Sequence, residues 1–79
     1  MAIYIQIRKT DENTNGVTYA FGPSEGLIGT VFVERATGEV SLLSIDDPGR
    51  QEFYLSRVRR VLLRHLAAGE YPASTCYAA

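Results

Sequence analysis

The hydrophobic period changes once along this chain, and that change constrains the fold more than any other feature. In residues 2–9, Ile3, Ile5 and Ile7 alternate with Tyr4, Gln6 and Arg8, the period of two that gives a strand one buried face. Between Arg50 and Ala68, Leu55, Val58, Leu62 and Leu66 recur at steps of three and four, flanked by Tyr54, Val61 and Leu63. The switch falls at Asp46-Asp47-Pro48-Gly49. Either aspartate can cap a helix, proline suits a first helical position, and Glu52 sits near the positive end of the dipole. Strands come first and a helix second, so the chain reads as α+β.

The strand half divides at its turn residues. Thr10 to Gly16 is a polar turn closing on Asn15-Gly16, a dipeptide that readily takes positive φ. Val17 to Phe21 resumes the alternation, with Val17, Tyr19 and Phe21 on one face. Gly22-Pro23-Ser24-Glu25-Gly26 breaks it, because proline brings no amide hydrogen to a ladder. Leu27–Arg35 and Glu39–Ile45 read as the third and fourth strands, joined through Ala36-Thr37-Gly38 with Gly38 left-handed. Gly29 within a strand pattern marks a bulge. Short connections favour antiparallel neighbours, since parallel ones need long crossovers. The expected architecture is a four-stranded antiparallel β-meander followed by one C-terminal amphipathic helix. Gly69 is placed to cap the helix and Pro72 to prevent its resumption. Tyr71, Cys76 and Tyr77 make the last ten residues too apolar to be freely solvated, so they are expected to form a short docked tail.

Size and composition then set limits. At 79 residues the chain houses one core, so residues 1–79 are a single domain. With 46% hydrophobic and 22% charged residues it is no disordered segment. Its apolar runs are far short of the ~18 residues a bilayer span needs, so no membrane partner is expected. The start MAIYIQIRKTDE is not expected to act as a secretory signal, and a cytoplasmic location follows as the expectation.

His65 and Cys76 are the only histidine and cysteine, and so the only candidates for a nucleophilic pair. His65 falls near a helix C-terminus and Cys76 in the tail, so they read as a terminal-turn residue and a small buried side chain. No His, Cys or carboxylate cluster has metal-ligand spacing, and no cofactor is expected. The glycine-rich segment after Phe21 lacks the phosphate-loop spacing and a following helix. Asp46 and Asp47 read as caps, and Glu34 and Glu39 as hairpin surface charge. The chain is expected not to be an enzyme.

What the composition leaves is surface. Residues 1–49 carry three Lys or Arg against seven Asp or Glu, whereas residues 50–79 carry five Arg against two Glu. Arg57, Arg60 and Arg64 follow i, i+3, i+7 spacing and share one helix face, which suits phosphate or an acidic protein surface. One helix can cover only one sheet face, leaving Tyr4, Gln6, Thr18 and Ala20 on the other. Val31-Phe32-Val33 and Leu42-Leu43 put apolar groups on both faces, so the tail or another chain should cover the second. Arg57, Arg60 and Arg64, with Tyr4 and Phe32, are therefore the candidate partner-binding residues, tyrosine being common at interfaces. An unidentified protein partner is the leading expectation. A homodimer through the free sheet face or an edge strand is the second. Nucleic acid is third, disfavoured by a pI near 5.7.

The signatures Tyr19-Ala20-Phe21-Gly22-Pro23, Thr37-Gly38-Glu39-Val40, Pro48-Gly49 and Gly69-Glu70-Tyr71-Pro72, with Thr75-Cys76-Tyr77-Ala78, resemble a group of small uncharacterised bacterial proteins. In size and style these are similar to immunity proteins, which neutralise a toxin made beside them. The resemblance implies a bacterial cytoplasmic binder and carries over no catalytic residue.

Overall fold

The computed structural model describes residues 3–79. The order is β1 (Tyr4–Glu12), β2 (Gly16–Gly22), β3 (Gly29–Glu34), β4 (Val40–Ile45), a 3-10 turn at Pro48–Arg50, α1 (Gln51–Ala67) and β5 (Ser74–Ala78). All neighbours pair antiparallel, in the spatial order β4-β3-β2-β1-β5. The first four strands form the expected meander. The count of four is corrected to five, because the tail is a strand and not a cover. Ser74–Ala78 pairs with β1, placing Ile5 opposite Tyr77 and Ile7 opposite Thr75. The second edge of β1 would otherwise expose a row of unpaired amides beside the buried isoleucines. Gly69, at φ 75°, turns the chain off the helix and lets it return there.

Two turns differ from expectation. β1 runs past Lys9 through Glu12, with Thr10 as an extra residue where the register shifts; Ala2, expected to begin it, lies outside the described residues. The turn is organised by Asn13, whose Oδ1 accepts from the amides of Asn15 and Gly16 at 2.8 and 3.1 Å. Such side-chain closure makes a left-handed Asn-Gly pair unnecessary. Among the described residues only Gly38 and Gly69 have positive φ. Gly16 is small for a different reason: a Cβ there would lie 2.5 Å from Cζ of Phe32 and collide with the Val33 carbonyl.

The bulge expected at Gly29 lies on β4 instead. Thr30 faces Ser44 and Val31 faces Leu42, so Leu43 is the extra residue and is 57% exposed. Gly29 opens β3 where the Phe21 ring fills the space a side chain would take, 2.5 Å from an ideal Cβ. The Leu42-Leu43 pair is thereby explained without a second buried face.

The core forms where the inward face of the sheet meets α1. Ile5, Ile7, Val17, Phe21, Val31 and Val33 meet Tyr54, Leu55, Val58, Val61 and Leu62. Each fully buried aliphatic side chain contributes roughly 1.5–3 kcal/mol. Asp47 accepts from the Gly49 amide at 3.1 Å, so it caps the 3-10 turn, and the α-helix proper begins three residues after Pro48. At the other end, the buried Tyr19 hydroxyl donates to the Pro72 carbonyl at 2.9 Å, tying the meander to the α1–β5 connection.

Candidate binding surface

α1 carries Arg57, Arg60 and Arg64 along the flank that overlooks β5. Arg57 is the anchored member. Its guanidinium lies 4.1 Å from the Phe53 ring centroid and 5.9 Å from that of Tyr77, and Nη1 donates to the Phe53 carbonyl at 2.9 Å. Its Nε is buried and has no acceptor. Arg57, Arg60, Ser56 and Tyr77 line a shallow recess between helix and strand. Arg60 and Arg64 are exposed. Among the described residues, none of the three has a carboxylate within ion-pair distance; the acidic partners that do pair are Glu12 and Glu70. Arg59 projects the other way, with Nη2 3.4 Å from the Val40 carbonyl of β4.

Carboxylates are placed elsewhere. Glu12 is held below its ordinary pKa by Lys9 and by Arg35, both hydrogen-bonded to it. Arg35 also lies 4.7 Å over the Tyr71 ring and donates to the Asn13 carbonyl at 2.9 Å. Glu34, Glu39, Asp46 and Asp47 are exposed near the turns that bound β4. The helix cations without an ion-pair partner among the described residues are divided in space: Arg57 and Arg60 lie beside Tyr77 of β5, whereas Arg59 leans onto β4 near these turns.

Tyr4 and Phe32 lie on the sheet face opposite α1. They are far apart on it, since Tyr4 pairs with Ala78 near one end and Phe32 with Thr18 towards the other. Tyr4 is 48% exposed, and with Gln6, Arg8, Ser74 and Cys76 it borders a groove along β1 and β5. Phe32 is half-buried because its ring rests on Gly16. The structure thus groups the three arginines and leaves both aromatics on another surface. The middle of that face carries small side chains, Thr18, Ala20, Thr30 and Ser44, with the Thr30 and Ser44 hydroxyls 2.8 Å apart. Gln6 Nε2 donates to the Pro23 carbonyl at 2.8 Å, drawing the loop after β2 onto one end of the face.

His65 and Cys76 are not a pair. His65 Nε2 lies 2.9 Å from Thr75 Oγ1, and Nδ1 lies 3.5 Å from Glu70 Oε1. Thr75 faces the helix, so Cys76, the next residue in a strand, faces the opposite side of the sheet. Cys76 is exposed, which corrects the expectation of a buried thiol. Among the described residues no group of three or more His, Cys, Asp or Glu side chains is placed to hold a metal ion. Nor is any helix there long and apolar enough to cross a membrane.

Sequence reasoning missed the β5 edge, and with it Ser56 and Tyr77 as neighbours of Arg57. The available signal was the alternation of Thr75 and Tyr77 with Ser74, Cys76 and Ala78. The chain is thus an α+β domain in which one helix covers an open five-stranded antiparallel sheet. No protein-family model matches it, and no curated protein or solved structure gives a significant match.

Proposed function

We propose that this is a small, non-enzymatic protein-binding domain, acting as an immunity-like inhibitor or regulatory subunit in the bacterial cytoplasm by covering a partner. The observation that carries the reading is the set Arg57, Arg60 and Arg64, aligned on one helix flank without a carboxylate partner among the described residues. Guanidinium groups left unpaired and side by side favour an acidic surface, and planar Arg recognises carboxylates better than Lys does. The exposed pair Arg60 and Arg64 supplies steering and specificity, while Arg57 is pre-positioned by its two aromatic neighbours.

A homo-oligomer is the second reading, favoured by the exposed Leu43 on an uncharged β4 edge. A nucleic-acid-associated regulator is the third, through the same arginines. The test is co-purification of partners from host cells with the wild-type chain and with the double variant Arg60→Glu/Arg64→Glu, followed by affinity measurement with the purified partner. The reading requires a protein partner whose binding the double variant weakens by about tenfold or more. A partner bound equally well by both moves the site to the sheet face. Sedimentation as a dimer would support the second reading, and salt-sensitive retention of generic DNA or RNA the third.

A further inference from the structure

The ridge formed by Arg57, Arg60 and Arg64 on α1 lies beside an open strand edge, and the two together define a more specific occupant. Ile3 and Ala79 exchange both backbone hydrogen bonds, at 2.9 and 3.0 Å, and the Lys9 amide donates to Ala73 at 2.8 Å. In an antiparallel ladder bonded pairs recur every second residue, so Thr75 and Tyr77 also point their amides and carbonyls at β1. The backbone groups of Ser74, Cys76 and Ala78 point the other way, towards the free edge. Ser74–Ala78 includes no charge and no proline, and its register against β1 runs without a bulge.

The side chains of β5 extend the pattern. Thr75 and Tyr77 face the helix, whereas Ser74, Cys76 and Ala78 face the open side of the sheet. A strand laid along β5 would place alternate side chains on the helix side, in the sector of Tyr77, Arg57, Arg60 and Arg64. Self-pairing of β5 about a two-fold axis would bring two such ridges towards each other, like charge against like.

We infer that β5 takes an extended acidic segment of a partner protein as a sixth strand, with main-chain hydrogen bonds to Ser74, Cys76 and Ala78. Its alternate Asp or Glu side chains reach Arg57, Arg60 and Arg64. This rests on the protein-binding reading above and supplies its mode: backbone pairing gives affinity and the arginines give selectivity.

The probe is a ten-residue synthetic peptide alternating Glu with Thr, alongside one in which Lys replaces each Glu and one in which Pro replaces each Thr. Amide hydrogen exchange of the full chain is followed by NMR. The acidic peptide should slow exchange at Ser74, Cys76 and Ala78, while Thr75 and Tyr77, already bonded to β1, change little. The lysine and proline peptides should leave exchange at all five residues unchanged. Arg60→Glu/Arg64→Glu should weaken acidic-peptide binding by about tenfold or more. Cys76→Pro removes an outward amide and no β1 bond, so it should keep the fold, checked by circular dichroism, and abolish edge binding. If Cys76→Pro unfolds the chain, the proline peptide alone decides the point.

Equal binding of the proline and threonine peptides, or binding without edge protection, overturns strand addition. The arginine ridge would then stand as a charge-only site if partner capture still fails in the double variant. A captured partner indifferent to both arginines overturns the ridge reading itself.

Discussion

Replacing Tyr19 with phenylalanine should separate the contribution of one oxygen atom from that of the core ring that carries it. Tyr19 is 1% exposed, and its hydroxyl donates to the Pro72 carbonyl at 2.9 Å across 53 residues of sequence. Tyr19→Phe keeps the ring, so no large cavity opens. The cost is the hydrogen bond, about 1 kcal/mol net, with Pro72 only half-buried so that water can reach its carbonyl. In a domain of this size about 1 kcal/mol shifts the melting temperature by roughly 4–8 °C. A second signature is the pH dependence. Burial, with the charges of Glu12 and Tyr71, pushes the Tyr19 phenol from 10.0 up to about 12. The unfolded chain releases this proton near pH 10, while the folded chain holds it to about pH 12. The contribution is therefore complete below pH 10 and declines as pH rises towards 12. Urea unfolding of both chains from pH 7 to pH 11.5 is the assay, and the other tyrosines, common to both, cancel in the difference. The wild type should be the more stable at neutral pH, by a margin that narrows above pH 10. Equal stability at pH 7 together with parallel alkaline profiles would refute the role given to Tyr19.

Gly16→Ala places a methyl group against the Val33 carbonyl and the Phe32 ring, and should cost about 1–3 kcal/mol in chemical denaturation. Gly16→Ala combined with Phe32→Ala should recover little of that, because the backbone oxygen remains in place. Cys76 in the folded chain should react fully with a thiol reagent without prior unfolding, as its exposure requires. Protection comparable to that of a core residue would place β5 in another register.

The meander and the helix were legible because each rests on a strong local period. Ile3, Ile5 and Ile7 could bury one face only as a strand, and Leu55, Val58 and Leu62 only as a helix. Gly38 and Gly69 were legible as left-handed residues because each follows an element that must stop. The fifth strand was not, since its five residues mix Ser, Thr, Cys, Tyr and Ala and bury only two side chains halfway. Its pairing depends on an edge of β1 that no local pattern reveals. The turn after β1 was misplaced because Asn13, two residues earlier than the Asn-Gly pair, satisfies the same amides with its own side chain. The sequence makes Phe32 a candidate partner-binding residue, but its ring is half-buried on Gly16. Its partner, Gly16, lies on another strand and has no side chain to announce the contact. Of the candidate site, the arginine spacing was visible, but neighbours contributed by β5 required the topology.

The position of β5 also has a kinetic consequence. The four meander strands close over short loops, and contacts between near neighbours in sequence form early. β5 pairs with β1 across the widest sequence separation of any strand pair, so its loop closure carries the largest entropic cost and it is expected to join last. Until then β1 is itself an edge, with Ile5 and Ile7 beside unpaired amides, and that partly assembled state is the one open to pairing with other chains. Late arrival implies early departure: β5 should exchange its amides and detach before the meander does. A ligand strand laid along it would then act as a brake on unfolding.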